Sequence, residues 1–361
     1  MTLLVESVPE TIAELPRRKR ISSAAALAKR LGLALIATDQ LSIRRRRCGH
    51  GFAFYWPDGT LIRDRSVIRR LNSLAVPPAY ENVLYAQDPS AHIQATGRDA
   101  AGRLQYRYHP EWEKVREARK AQRLARLAEV LPRIRRSVAQ HLSGAEPTRE
   151  FALAAVIELV ARSAIRTGGE SYARANGTRG AATLLKSNVR LNGAAITLEF
   201  RAKGGKEVYK EFTAPRLCQV LEILRRLPGR RLFQFRDETG TVRRVRARDV
   251  NVFLRSLAGV QISLKDFRTL CASAAVLDRL ARTLPAASAR QRRRQVLEAV
   301  REAAEELHNT PAICRKSYVH ETVVSAFENG VLERFAATLR TCRSPARKEQ
   351  FLAQVVATGS L

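Results

Sequence analysis

The pattern of apolar residues changes abruptly near residue 112, and this change limits the folds that the chain can adopt. Between residues 40 and 110, short β-prone runs alternate with Pro and Gly, which is typical of a small antiparallel sheet. From Trp112 to His141 the apolar side chains recur with the period of a helix, with an interruption expected at Pro132. A β-rich part is therefore expected to precede a helical part.

The predicted fold class is α+β, with a small antiparallel β-rich N-terminal domain and a larger, mainly α-helical domain. The expected limits are 1–39 for a basic arm and helix, 40–112 for the β-rich domain and 113–361 for the helical domain. In the β-rich domain, "RRRRCGHGFAFYWPDGTLI" at 44–62 combines alternating aromatic residues with a Pro-Asp-Gly turn. This run predicts a hairpin with a basic edge.

The larger domain begins with a strongly apolar helix, which Thr148 is predicted to cap and Gly168-Gly169 to end. Arg166 is expected at the very end of this helix, where it would neutralise the C-terminus on purely local grounds. The run "VRLNGAAITLEFRAKGGKEVYKEF" then predicts a three-stranded β-meander. Lys203 lies at the tip of its second turn, a position that most often holds a solvated surface charge.

Two later helix starts carry basic residues. Ser263 and Asp266 form a capping-box pattern, which places Lys265 and Arg268 on one face of the first turn. A solvated first-turn residue is the ordinary explanation for Arg268, although a cation is mildly unfavourable at a helix N-terminus. Further on, "NTPAICRKSY" predicts a helix break at residues 309–310 and a new helix opening with proline.

Tyr318 ends that last run, directly after basic residues. Cationic neighbours stabilise a phenolate, which makes this tyrosine a candidate nucleophile. An ordinary amphipathic-helix residue is the simpler explanation if the run is taken alone.

The composition indicates a polyanionic partner. Lys and Arg number 64 against 34 Asp and Glu, which gives a net charge of +30. No apolar run reaches the ~18 residues of a membrane span, so nucleic acid is the expected partner and a membrane is not. The five scattered cysteines predict free thiols, and the six histidines form no metal-binding pattern. With no signal-peptide core, a cytoplasmic location is expected.

Five of these runs, in this order, resemble the motifs of type IB DNA topoisomerases in the compact poxvirus-like form found in bacteria. They are "GRLQYRYHP" after "HIQATGRD", "IRTGGESYARANGTRGAATL", "FRAKGGK", "LKDFRT" and "NTPAICRKSY". The similarity extends from about residue 40 to 325. Each motif alone is weak, whereas the ordered set ending in a tyrosine is strong.

The resemblance implies that Tyr318 is the nucleophile and that Arg166, Lys203, Arg268 and Asn309 support it. Fixed cations suit this reaction, because attack on a phosphodiester adds negative charge that guanidinium groups can meet without a metal. Lys203 would protonate the leaving 5′ oxygen. The resemblance also implies DNA contacts for a further set of residues: Arg98, Gln105, Tyr106, Tyr108, Tyr172 and Lys265. Half-buried packing is the alternative explanation for Tyr106 and Tyr108.

The implied reaction forms a 3′-phosphotyrosyl intermediate, allows the cut strand to swivel and religates it without ATP. That expectation agrees with the lack of a Walker motif, and no cofactor or metal is predicted. Two domains would clamp double-stranded DNA, and the enzyme is expected to be a monomer associated with the nucleoid.

Two alternatives share these features. A tyrosine recombinase uses the same chemistry but usually has a histidine two or three residues before its second catalytic arginine, where this chain has Lys265. A non-catalytic DNA-packaging protein would bind DNA and form no covalent adduct.

The chain departs from the viral pattern at one position. Asn309 lies where the poxvirus enzymes carry a catalytic histidine, and His308 precedes it. A shift of one residue rotates a helical side chain by about 100°, so His308 is not expected to replace it. Asn309 is expected to stabilise charge through its amide, and a helix cap before Pro311 is its alternative or additional role.

Overall fold

The computed structural model describes residues 23–342 and 344–358. The chain divides into two compact units after Arg119. Helix α3 (Trp112–His141) begins in the first unit and ends in the second. It is continuous across Pro132, so the predicted interruption is wrong. Most of the predicted basic arm lies outside the described residues, and the domain limits proposed from the sequence stay predictions.

The first unit is built on an antiparallel five-stranded sheet with the strand order β2-β1-β3-β4-β5. Its elements are α1 (Ala24–Arg30), β1 (Ile43–Cys48), β2 (Gly51–Tyr55), α2 (Arg65–Ser73), β3 (Glu81–Tyr85), β4 (Ile93–Arg98) and β5 (Leu104–Tyr108). Helix α2, which the sequence analysis missed, is capped by the Asp64 carboxylate at the Ser66 N–H, 2.7 Å away. Its Leu71 is buried with Ile43 and Tyr85 of the sheet, so α2 covers one sheet face.

The predicted N-terminal hairpin is present, but its details differ from the expectation. Strands β1 and β2 are joined at Gly49-His50, where Gly49 has a φ of +53° that favours glycine. The Pro-Asp-Gly sequence forms the following turn, in which the Trp56 N–H donates to the Thr60 carbonyl at 2.9 Å. The arginines of residues 44–47 lie on β1, which pairs with β2 and β3, so they are not on the edge strand.

The second unit is mainly helical. After α3 its elements are α4 (Arg149–Ser163), α5 (Glu170–Asn176), β6 (Val189–Asn192), β7 (Ala195–Arg201), β8 (Glu207–Thr213), α6 (Pro215–Arg225), β9 (Gln234–Arg236), β10 (Val242–Arg244), α7 (Ala247–Ala258), α8 (Leu264–Ala281), α9 (Ala289–Glu306), α10 (Pro311–Ser317), α11 (Glu321–Glu328), α12 (Glu333–Thr341) and α13 (Pro345–Thr358). No helix in the described part of the chain is long and apolar enough to cross a membrane.

Helix α4 is the centre of this unit. It is apolar on all sides, buries ten of its residues and packs against α6, α7 and α8. The predicted meander is confirmed as β6-β7-β8, and the inward-facing Ile196, Leu198 and Phe200 are buried. The observed α+β architecture therefore agrees with the predicted fold class.

Candidate active site

Tyr318 is held at the C-terminal end of α10. Thr310 caps this helix, since its Oγ1 accepts a backbone N–H of the first turn at 3.3 Å, and Asn309 is therefore not the cap. The Tyr318 N–H donates to the Cys314 carbonyl at 2.9 Å. Only 7% of Tyr318 is exposed, so it is a buried and fixed residue rather than part of a solvated helix face.

Ser273 of α8 fixes the backbone around Tyr318. Its Oγ donates to the Tyr318 carbonyl at 3.0 Å and accepts the His320 N–H at 3.1 Å. This serine was not predicted from the sequence, and no local pattern marks it, because the contact joins residues 45 positions apart. Ser273 thus sets the position of the tyrosine without itself being a candidate for chemistry.

Arg268 lies against the Tyr318 ring. Its guanidinium carbon is 4.8 Å from the ring centroid, and only 3% of the residue is exposed. One Nη donates to the Ala164 carbonyl, and the other donates to the Leu307 carbonyl at 3.1 Å. The interpretation of Arg268 as a solvated first-turn residue is therefore wrong. Burying a guanidinium without a carboxylate is costly, which favours a functional reason for its position.

The capping box expected at the start of α8, the helix that carries Arg268, is present. The Ser263 N–H donates to Asp266 Oδ2 at 2.7 Å, and the Asp266 N–H donates to the Ser263 carbonyl at 2.9 Å. Arg123 of α3 also donates to the Asp266 carboxylate at 2.6 Å. Arg123 was not singled out from the sequence, because its partner is 143 residues away.

Arg166 meets Asn309, although 143 residues separate them. An Arg166 Nη donates to the Asn309 Oδ1. Helix α4 ends at Ser163 and is followed by Ala164 in the left-handed region with a φ of +51°, so Arg166 lies beyond the helix and not at its end. Its role as a neutraliser of the helix C-terminus is therefore not supported.

Two glycines hold the segment that carries Arg166. Gly180 packs so closely against it that an added Cβ would lie 2.5 Å from the Arg166 carbonyl oxygen and 2.5 Å from the Gly168 nitrogen. The Ala181 N–H donates to that same carbonyl at 2.8 Å. Gly168 thus permits a close backbone contact. The prediction that Gly168 ends the helix is wrong, because the helix already ends at Ser163.

The charges around Tyr318 favour its phenolate. Burial alone raises the pKa of the phenol, but the positive charges of Arg268, Arg166 and Lys265 outweigh burial. The pKa of Tyr318 is consequently lowered from its usual value. A lower pKa increases the fraction of nucleophilic phenolate near neutral pH and makes the phenolate a better leaving group.

His308 faces a different space from Asn309. Its backbone is left-handed, with a φ of +48°, and its side chain lines a small cavity of about 10 Å³ together with Arg166, Lys210 and Arg268. Burial, followed by the charges of Lys210 and Arg268, lowers the pKa of the imidazole. The lowered pKa favours the neutral form of the imidazole.

Arg166, Arg268, Asn309 and Tyr318 are here called the Tyr318 cluster, and in the described part of the chain no hydrogen bond or ring contact joins it to Lys203 or Tyr172. Lys203 is exposed in the turn between β7 and β8, and its ammonium is 6.0 Å from the ring centroid of Tyr172, which is 56% exposed. Among the described residues, no hydrogen bond or ring contact joins Lys203 to Tyr318. Lys265, in the first turn of α8, is also exposed. These residues are accessible to a large anionic ligand.

In the first unit, the other predicted DNA-contact residues share β4 and β5. Tyr106 and Tyr108 are each 41% exposed, and their rings stack with centroids 5.9 Å apart. They are therefore not core residues. The Gln105 amide donates to Asp99 at 2.9 Å, and Arg98 donates to the Gly102 carbonyl at 2.8 Å. Whether these four residues contact DNA stays a prediction.

Comparison with known proteins gives two family matches. The family described as eukaryotic DNA topoisomerase I, catalytic core, matches residues 109–343. The family described as bacterial DNA topoisomerase IB, N-terminal domain, matches residues 51–99. A DNA topoisomerase 1B from Acanthamoeba polyphaga mimivirus is 29% identical over 294 residues, which cover 80% of this chain and 88% of that protein.

The catalytic-core match covers well over half of the chain, and the chain therefore belongs to the DNA topoisomerase I family. Within that family it is a type IB DNA topoisomerase, so the family and enzyme class predicted from the sequence are confirmed. The alternatives of a tyrosine recombinase and a non-catalytic packaging protein receive no support from these matches.

Proposed function

We propose that the enzyme relaxes supercoiled double-stranded DNA through attack of the Tyr318 phenolate on a backbone phosphodiester. The observation that carries the proposal is a pair of buried donors, one on Arg268, which lies against the Tyr318 ring, and one on Asn309, which accepts a hydrogen bond from Arg166. The Nε of Arg268 and the Nδ2 of Asn309 have no hydrogen-bond partner in the described part of the chain. Buried donors are rarely left unpaired, and phosphate oxygens are the acceptors that would satisfy both of them.

In this mechanism the Tyr318 oxygen attacks phosphorus and the 5′ oxygen leaves. Arg268 and Arg166 offset the charge that develops on the non-bridging oxygens. Asn309 contributes one neutral donor, since an amide does not titrate near pH 7. Its hydrogen bond from Arg166 keeps the amide oriented with Nδ2 as the free donor.

Lys203 is the proposed general acid for the leaving 5′ oxygen. It lies in a turn whose Gly204 and Gly205 have φ values of +81° and +75°, which only glycine adopts readily. The exposed side chain is 6.0 Å from the exposed Tyr172 ring, so both can approach the backbone of a bound duplex. Proton donation by a positioned lysine contributes about 10² to 10⁴ to such a rate.

The product is a 3′-phosphotyrosyl ester with a free 5′ hydroxyl. Because a phenolate is a good leaving group, the 5′ hydroxyl can reverse the reaction without ATP. Rotation of the cut strand between these steps removes supercoils of either sign. The stacked Tyr106 and Tyr108, with Arg98 and Gln105, are proposed to contact the duplex, and the enzyme is proposed to act as a monomer.

Relaxation of plasmid DNA tests this function. Positively and negatively supercoiled plasmids are both expected to be relaxed in EDTA without nucleotide, because the proposed charge stabilisation comes from side chains alone. If the enzyme makes six to ten phosphate contacts, raising the salt from 50 to 200 mM should lower its affinity for DNA by a factor of roughly 10³ to 10⁵. A strict requirement for Mg²⁺ or ATP, or relaxation of one sign only, would contradict the proposal.

Asn309 and His308 are expected to respond differently to substitution. Asn309→Ala removes the unpaired donor and should slow covalent-adduct formation by about 10² or more. Asn309→His should retain substantial activity, because an imidazole also donates. His308→Asn keeps a residue that tolerates the left-handed backbone and should cost little, as the sequence analysis expects for His308. The rate of adduct formation on a suicide duplex is measured for all three variants. A large rate loss in His308→Asn together with a small loss in Asn309→Ala would assign the role to His308 instead of Asn309.

A further inference from the structure

Arg123 of α3 binds both residues of the capping box that opens α8. Its Nη2 donates to Asp266 Oδ2 at 2.6 Å and to Ser263 Oγ at 3.0 Å. Asp266 is only 8% exposed, so its carboxylate has lost most of its contact with water. In residues 23–342 and 344–358, Arg123 is the cation that forms an ion pair with this carboxylate. Arg123 therefore supplies the positive charge that a buried carboxylate needs.

Asp266 lies in the same helical turn as two cations of the candidate active site. Lys265 precedes it, and Arg268 follows two residues later. Against the effect of burial, the charges of these two cations lower the pKa of Tyr318. Without Arg123, the carboxylate would attract both cations, because a buried charge that loses its partner is costly. Arg123 thus leaves Lys265 and Arg268 free to stabilise other negative charges.

The inward direction of the Arg123 side chain has a cost. A long basic side chain on a helix usually extends its charged group into water. The Nε of Arg123 is instead buried, and it has no hydrogen-bond partner in the described part of the chain. A buried donor without a partner lowers stability. This arrangement favours a role for the pair of Arg123 and Asp266 beyond that of an ordinary surface ion pair.

The same face of α3 also binds the segment that carries Tyr318. Lys120 lies three residues before Arg123, and both residues belong to the second unit. The Lys120 Nζ donates to the Val319 carbonyl at 3.0 Å. Val319 is fully buried and directly follows Tyr318. One helix face therefore contacts both the start of the Arg268 helix and the segment of the candidate nucleophile.

We propose that Arg123 is a positioning residue for cleavage, which neutralises Asp266 and thereby keeps Arg268 and Lys265 directed at the Tyr318 phenolate. The inference rests on the proposed function, since it assigns a further residue to the same reaction. Arg123 acts through Asp266 and takes no part in bond formation. Its effect on the rate follows from geometry, because small displacements of reacting groups slow a reaction strongly.

Two substitutions of Arg123 test the importance of its charge. Arg123→Gln removes the charge and keeps a hydrogen-bond donor, whereas Arg123→Lys keeps the charge. On a saturating suicide duplex, Arg123→Gln should slow adduct formation by about 10- to 100-fold, and Arg123→Lys should recover most of the rate. Arg136→Gln alters an exposed arginine of the same helix and should keep the wild-type rate. Equal rates in Arg123→Gln and the wild type would contradict the proposal.

Asp266→Asn separates positioning from a general effect on the fold. This variant removes the carboxylate charge that Arg123 neutralises, so adding Arg123→Gln to it should cost less than about 3-fold in rate. Independent effects would multiply instead, and that result would count against the proposal. Thermal melting checks the folding of each variant. The comparison of the double variant with Asp266→Asn remains decisive even where Arg123→Gln alone is poorly folded.

A titration without DNA tests the positioning role separately from the proposed function. The difference in ultraviolet absorbance between each protein and its Tyr318→Phe counterpart follows the ionisation of Tyr318 alone. Since Arg268 and Lys265 are drawn toward Asp266 in Arg123→Gln, the pKa of Tyr318 should rise in that variant and stay unchanged in Arg136→Gln. An unshifted titration in Arg123→Gln overturns the positioning role, whereas a wild-type enzyme that forms no adduct overturns the proposed function.

Discussion

Tyr318→Phe is expected to reduce covalent-adduct formation on duplex DNA to below detection, a loss on the order of 10⁴ or more. The substitution removes the attacking oxygen and keeps the ring that packs against Arg268. Folding and non-covalent DNA binding should therefore be nearly unchanged. Adduct formation on a suicide duplex measures the chemical step. The salt dependence of DNA affinity measures non-covalent binding.

Tyr209→Phe is the matched control for this variant. Tyr209 is 58% exposed on β8, and its hydroxyl interacts with Glu211 at 3.1 Å, so its loss should leave cleavage at the wild-type rate. Persistent adducts in Tyr318→Phe would place the nucleophile at another residue. Loss of activity in both variants would indicate a general effect of tyrosine removal and would contradict the assigned role.

Arg268→Gln is expected to slow cleavage by about 10² or more at neutral pH. The variant loses the cation that stabilises both the Tyr318 phenolate and the charge on phosphate. Because the charge of Arg268 opposes the effect of burial, its removal raises the pKa of Tyr318. The cleavage rate rises with pH as the phenolate forms, so the rising limb of the pH profile should move to higher pH in the variant.

Arg279→Gln controls for the loss of an arginine on the same helix. Arg279 is exposed and pairs with Glu302 at 3.0 Å, an interaction worth little at the surface. Its pH profile should match that of the wild type. A slower Arg268→Gln enzyme with an unshifted pH profile would show that Arg268 does not tune Tyr318. A thermal melt of each variant separates catalytic loss from misfolding, because Arg268 also binds two backbone carbonyls.

Local sequence patterns predicted those parts of the fold that depend on neighbouring residues. The Thr148 cap, the capping box at Ser263 and the helix opening at Pro311 are all present. The meander was also predictable, since its alternating apolar residues and glycine turns are local signals. Helix α2 was not predicted, although Val67, Ile68 and Leu71 have the spacing of one helix face and Asp64 is a suitable N-cap residue. This helix was therefore missed despite a local signal.

The sequence predictions that were wrong concern features that depend on long-range contacts. The helix preceding Arg166 ends early, at Ser163, and the segment after it packs through Gly168 against Gly180, a contact that local propensity does not contain. Arg268 has an unfavourable local position, and only the distant Ala164 and Leu307 carbonyls explain why it is buried. The candidate site residues came from the order of the motifs. That Arg166, Arg268 and the segment with Asn309 and Tyr318 lie together depends on long-range contacts, which local patterns do not contain.

The attachment point of the DNA tests the central claim most directly. A covalent adduct is trapped on a suicide duplex, the protein is digested, and the DNA-linked peptide is identified by mass spectrometry. We expect a single modified residue, Tyr318, joined to a 3′ phosphate, with a free 5′ hydroxyl on the released strand. Linkage to any other residue, or to a 5′ phosphate, would contradict the account.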